Sequence, residues 1–306
     1  MGVGCHVGGL WYEAMCFAKD LILLTPTRAA AQLMIKWYEE YAINHNLQFS
    51  TDIVLAKSKS KCISMTGKIR NNCCPENLTL FGQHLPWVEQ ATNLGHILHR
   101  SGTMEQDAIV NKAKFIDKTV DVRETFSFAH PEQVMKAIHI YACDCYGTML
   151  YDLSSQATES YFKAWNACVK LVWNLPRSTF TYLVEHVVAA NFMSLRNQVY
   201  SRYVGHFQHL LHSSSKEVRH LARIVGRDVR SVTCRNVKLL TTVSGLSPWD
   251  YSKWRIKEKL PKATIPIGQE WRMSLLSKLL EARQSQITCK EDFSATKIWI
   301  DSLCAT

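Results

Sequence analysis

Apolar residues come in short runs over the first hundred positions and take up helical spacing beyond them, so the period of the pattern divides the chain. Met15-Cys16-Phe17 and Leu21-Ile22-Leu23-Leu24 flank Ala18-Lys19, which predicts a hairpin centred on those two residues. One amphipathic helix is expected over 29–46, with Met34, Trp37, Tyr38 and Tyr41 at helical spacing. Short strands are expected near 62–65, 78–81, 84–88 and 94–98, punctuated by Gly67 and Gly82. From 104 to about 175 the period is helical, and Phe162, Trp165, Val169, Val172 and Trp173 form one apolar face. Pro131 opens the second of three helices there and Pro176 closes the third. Residues 190–250 read as helical and basic up to the Ser247-Pro248 break, and the tail holds one amphipathic stretch, 271–284. The expected fold class is α+β, divided at 1–100, 101–189 and 190–306.

With 306 residues and 47% hydrophobic content the chain can bury a core and split into two or three domains. The net charge of +10 is concentrated: residues 201–262 hold 13 basic and 4 acidic side chains, whereas 101–150 hold 5 and 7. A second basic run, Lys57, Lys59, Lys61, Lys68 and Arg70, has no acidic residue between Asp52 and Glu76. Clustering of this kind suits a polyanion partner. The 11 cysteines include no C-x-x-C pair, and Cys143 and Cys145 are expected on different faces of a helix. Free thiols in a reducing compartment fit that spacing better than a zinc site or a disulfide framework. Apolar runs such as 21–24 fall far below the roughly 18 residues a membrane span needs, and no secretory signal is visible. His6 spoils a myristoylation-like start at Met1-Gly2. The location expected is intracellular, nuclear or cytoplasmic.

Phe17-Ala18-Lys19-Asp20 resembles the catalytic hairpin of a reverse transcriptase, which carries an aromatic residue, a small residue and two aspartates. Asp20 stands at the second aspartate and Lys19 at the first. The similarity is to the enzymes of non-LTR, LINE-type retrotransposons, and it runs in order through most of the chain to about Arg283. Gly4-Cys5-His6-Val7-Gly8-Gly9 resembles the approach to the hairpin, and Thr25-Pro26-Thr27 the turn into the next helix. Phe49-Ser50-Thr51-Asp52 and 57–63 resemble the lysine-bearing segment beside the nucleotide site. Leu85-Pro86-Trp87-Val88 and Asn93-Leu94-Gly95-His96 resemble the strand and turn that grip the primer end. Phe128-Ala129-His130-Pro131, Leu175-Pro176-Arg177-Ser178-Thr179 and Tyr182-Leu183-Val184-Glu185 resemble the thumb and the segment beyond it. The resemblance implies a partial palm, a short antiparallel sheet with one helix, then a helical thumb and a basic, mainly helical C-terminal region.

Such a hairpin holds two magnesium ions about 3.5–4 Å apart. An ammonium about 4 Å from a divalent cation repels it by roughly 8 kcal/mol at an effective dielectric of 20. Lys19 therefore opposes the metal it replaces a ligand for. The family takes a further aspartate from a strand well upstream, and only 16 residues precede Phe17. Asp20 is then a vestigial ligand or an ordinary turn aspartate, and the second reading is favoured because a lone carboxylate holds magnesium poorly.

Lys57, Lys59 and Lys61 alternate as strand-edge lysines do, or serve as phosphate contacts together with Lys68 and Arg70; a lysine near here protonates the departing pyrophosphate in the resembled family. Leu94 and Gly95 fall in the primer-gripping turn. Arg219, Arg223, Arg227 and Arg230 recur at helical spacing, with Gly226 between them, and present either a solvated face or a nucleic-acid contact. His206, His209 and His212 are spaced by threes without a nearby acidic or cysteine partner, and Trp87 and Trp165 read as core. The expectation is a chain inactive as a polymerase that binds RNA, DNA or their hybrid through phosphates. It needs no cofactor of its own, although Mg2+ serves the family. Two other readings stay open: a piece of an active RNA-directed DNA polymerase, and a non-enzymatic domesticated interaction protein.

Overall fold

Paired residues in left-handed backbone close three hairpins early in the chain. Gly8-Gly9 (φ 59° and 88°) joins β1 (Cys5–Val7) to β2 (Leu10–Tyr12). Phe81-Gly82 (49° and 74°) joins β5 (Thr79–Leu80) to β6 (Gln83–His84). Leu94-Gly95 (48° and 81°) joins β7 (Gln90–Asn93) to β8 (His96–His99). Positive φ at both loop positions matches the twist of the flanking strands. A further hairpin pairs β3 (Ala14–Phe17) with β4 (Asp20–Leu23) and closes at Phe17↔Asp20. The computed structural model describes residues 3–17, 20–49, 59–65, 77–179, 181, 184 and 192–244. Within them the architecture is mixed α+β, small antiparallel two-stranded sheets followed by several helices. The helices are α1 (Arg28–Asn44), α2 (Glu105–Thr125), α3 (Pro131–Tyr141), α4 (Gln156–Val172), α5 (Leu195–Leu211), α6 (Lys216–Arg227) and α7 (Val232–Ser244).

These residues fall into two compact units, one drawn from Met1–Asp107 and Leu210–Ser231, the other from Ala108–His209 and Val232–Thr306. In the first, the hairpin unit, Ile35 of α1 packs with Leu78, Leu80 and Leu85, and Leu23, Phe49 and Trp87 close over them. Gln32 of α1 clamps β5 from the side: its amide donates to the Thr79 carbonyl and accepts the Thr79 N–H, both at 2.9 Å. Thr27 caps α1, and the chain leaves the helix through Asn46 at φ 53° with the Leu47 N–H returned to the Ala42 carbonyl at 2.8 Å, a Schellman ending on asparagine. Trp37 and Tyr41, at helical spacing with Met34, do not join it inside; Met34, Ile35 and Ala42 are the buried face and both aromatics are exposed.

Where a single short sheet is expected from the pattern, the described residues form four separate two-stranded ones. The strand expected over 62–65 reduces to one parallel bridge, Cys62↔Trp87. Pro86, opposite it, accepts the Cys62 N–H at 2.9 Å but has no N–H with which to extend a ladder.

The helical unit is built on α4. Its Phe162, Trp165, Val169 and Val172, with Trp173 just beyond, are all buried, as the apolar face required. Phe115 of α2 meets Tyr161 edge-on at 6.1 Å and lies 6.4 Å from Trp165; Phe162 meets Tyr200 of α5 at 5.9 Å. Pro131 opens α3 behind a His130 cap, and α4 stops at Val172 ahead of Pro176. Because α3 ends at Tyr141, Cys143 and Cys145 lie past the helix, and both are buried rather than divided between faces. Burial pushes these thiols up, to about 12 and about 11, so they stay protonated. Among the described cysteines there is no disulfide, and no described helix is long and apolar enough to cross a membrane.

Candidate nucleic-acid interface

The basic helix α6 starts at a serine cap, the Val218 N–H donating to Ser215 Oγ at 3.2 Å. It ends at Arg227 because Asp228 is extended. Arg230 therefore does not continue the helical run. It lies beyond the helix and pairs with Asp228 at 3.2 Å, which holds that carboxyl below its ordinary range. At about 100° per residue, Lys216, Arg219, Arg223 and Arg227 fall within an arc of about 80°. Lys216, Arg223 and Arg227 are exposed. Arg219 is half-buried and donates to the carbonyls of Ser213 and Ser214, so it holds the turn between α5 and α6. The one carboxylate in the first turn of α6, Glu217, is held low by its own backbone N–H, by Ser215 and by the charges of Lys216 and Arg219, and its position lies about a quarter turn from the near edge of the stripe.

The β1–β2 ribbon is seated on α6. Tyr12 OH donates to the Glu217 carbonyl at 3.2 Å, and His220 Nε2 lies 2.6 Å from the Gly8 carbonyl. A Cβ at Gly8 would collide with Ile224, and φ of 59° independently calls for glycine there. Glu217, His220 and Ile224 define a seat about 90° around the helix from the middle of the basic stripe. The stripe thus runs beside the ribbon, not beneath it.

The other expected residues are scattered. Asp20 is exposed at the first position of β4. Among the described residues no group of three His, Cys, Asp or Glu could hold a metal, and Asp20 alone does not fit a two-magnesium site. Lys59 and Lys61 are exposed beside the Cys62 bridge. Lys19, Lys57, Lys68, Arg70 and the stretch 271–284 lie outside the described residues. Leu94 and Gly95 form the tip of the β7–β8 hairpin, which buried Asp107 anchors by accepting the Ile97 N–H at 3.1 Å. Leu94 at φ 48° is a non-glycine residue in left-handed backbone, a strain of roughly 1 kcal/mol or more. In the helical unit, burial and His209 hold the His206 imidazole below 6.5. Trp165 is core.

A cavity of about 240 Å³ in the helical unit, lined by Glu159, Phe162, Lys163, Trp165 and Arg196 among others, holds an ion pair in its wall. Arg196 donates to both Glu159 oxygens at 2.8 Å and lies 4.9 Å from the Phe162 ring centre. Two contributors escaped the sequence reading. Lys216 completes the arginine stripe one turn earlier, and only the position of the Ser215 cap brings it onto that face. Trp11 is 52% exposed on β2; the Gly8-Gly9 pair, a hairpin signal in its own right, would have placed it opposite His6. No family model matches the chain, and no curated protein matches it.

Proposed function

We propose that the chain derives from the reverse transcriptase of a LINE-type retrotransposon and is a nucleic-acid-binding remnant without polymerase activity. The observation that carries the binding is the exposed Lys216, Arg223 and Arg227 stripe on α6. Cations set so recruit a phosphate backbone and release its counterions without reading sequence. The ancestry is supported by the ordered motifs and by a hairpin whose closing pair, Phe17↔Asp20, flanks the two turn positions. The lack of activity follows from Lys19 at a metal-ligand position. On this reading the β3–β4 and β7–β8 hairpins with α1 are palm, and α2 to α4 are thumb.

Binding of a duplex or RNA–DNA hybrid, followed by anisotropy across a salt series, tests the proposal. Replacing Lys216, Arg223 and Arg227 by glutamine should flatten the log-log salt slope by roughly 2–3 units, at about 0.9 per lost contact. Arg219→Gln with Arg230→Gln should change it by less than about 1, since both guanidiniums hold protein oxygens. An unchanged slope in the triple variant, with its circular dichroism intact, would make α6 a solvated face. Primer extension with magnesium or manganese is expected to stay at the level of boiled protein.

A further inference from the structure

We propose that the β1–β2 ribbon is a base-stacking platform and that the partner of this face is a single-stranded nucleic acid. The inference rests on the phosphate-binding reading of α6 and names the kind of strand it takes. His6 and Trp11 are cross-strand neighbours in register, with ring centres 5.1 Å apart and planes tilted by 58°. Strand alternation sends Cys5, Val7, Leu10 and Tyr12 to the other face, the one tied to α6 through the Tyr12 hydroxyl. The indole is therefore held outward by a ribbon that is itself fixed at Gly8 and Tyr12, while about half of its surface stays exposed. A large aromatic left open on a rigid support costs apolar burial that the fold does not recover. About a quarter turn around α6 from the ribbon's seat runs the basic stripe. Stacking face and phosphate track together are what a single strand needs, because its bases are free to leave each other. In a duplex the bases stack on one another and offer Trp11 no face.

The test is anisotropy of a labelled strand of about ten nucleotides, titrated as RNA, as DNA, as an abasic DNA strand of equal length, and as a blunt duplex. Trp11→Ala is expected to weaken the base-bearing single strands by about tenfold and to leave the abasic strand and the duplex within twofold of wild type, with the salt slope unchanged. Trp11→Phe, which keeps a ring, should recover most of the loss and guards against a folding defect in the alanine variant. The factors lost on RNA and on DNA say which sugar the platform serves. A factor below two on both overturns the platform, as does an equal loss on the duplex. If wild type binds abasic and normal strands alike, the platform fails and the phosphate reading stands; if it binds neither in a salt-dependent way, both fail.

Discussion

The helical unit is filled by aromatic rings and the hairpin unit by aliphatic side chains, although both also carry exposed aromatics, Phe128 and Tyr141 in the first and Trp11 and Phe17 in the second. In the first, Phe115, Tyr161 and Trp165 make mutual ring contacts in a closed interior. In the second, the buried cluster is four aliphatic side chains, Ile35, Leu78, Leu80 and Leu85. Met15, Phe17, Trp11, Trp37 and Tyr41 stay largely exposed. Around that small cluster the hairpin unit carries side chain to backbone clamps: Gln32 on Thr79, Glu39 on the Phe81 N–H, Asp107 on the Ile97 N–H, His220 on the Gly8 carbonyl. Such clamps fix geometry, yet each contributes only about 1 kcal/mol net. The two units thus differ in what fills their interiors: ring-to-ring contacts in the helical unit, a small aliphatic cluster in the hairpin unit.

Removing the centre of each core tests that division most severely. Trp165→Ala deletes a side chain that is 1% exposed and touches α2 and α3 partners, and should cost about 3–5 kcal/mol. Leu80→Ala in the hairpin unit should cost about 2–3 kcal/mol. Native-state hydrogen exchange, read separately on α4 and on the β strands, resolves the two losses. A larger loss from Leu80→Ala would invert the comparison.

Legibility in the sequence divides along the same line. The helical unit could be read because its signals are local and redundant: the spacing of Phe162, Trp165, Val169 and Val172 states the buried face, and Pro131 and Pro176 mark boundaries. The hairpin unit was legible at α1, at the apolar runs that flank the β3–β4 turn, and at its glycines. Gly8-Gly9, Gly82 and Gly95 mark turns, but nothing in Phe81 or Leu94 announces left-handed backbone, since their neighbours impose it. Nor does the alternation of apolar residues state how many strands share a sheet, and an expected single sheet is four hairpins among the described residues. At the candidate site the arginine spacing located α6, but helix termination at Asp228 withdrew Arg230 from the stripe. Which guanidiniums are engaged by backbone carbonyls, as Arg219 is, depends on a turn no periodicity describes.

A smaller effect should separate buried clamps from exposed ones. Asn236 in α7 is 1% exposed; its amide donates to the Tyr151 carbonyl at 2.7 Å and accepts the Leu153 N–H at 2.9 Å. Asn236→Ala removes both bonds at a position closed to water and should cost about 2–4 kcal/mol. Gln32→Ala removes a pair of bonds of the same kind from Thr79, which is only half-buried; water replaces them, and the cost should be about 1 kcal/mol. Thermal melts of the two variants decide it. Equal costs would mean that burial does not distinguish the clamps, and that the hairpin unit relies on its hydrogen bonds as heavily as the helical unit does.

The weakest expected difference lies in pH. Burial lowers the His139 imidazole below 6.5, and burial with His209 does the same to His206; both residues belong to the helical unit. For a histidine depressed in the folded state, the unfolded chain takes up the proton first. The stability is therefore full above about 6.5 and is lost as pH falls through the lower folded values. In the hairpin unit the resolved carboxyl shifts run to lower values too, Glu217 below 4.5 through its own N–H and Ser215, and Asp228 below 3.8 through Arg230. Their contribution holds above those ordinary values and fades only in stronger acid. Lowering the pH from 7.5 to 5.5 should consequently reduce exchange protection in α3 and α5 more than in the β1–β2 ribbon and α6. Replacing His139 and His206 by glutamine should remove most of that drop, because glutamine stays neutral throughout. A parallel loss in both units over this window, or a drop that survives the double replacement, would show that these two imidazoles do not set the acid sensitivity of the helical unit.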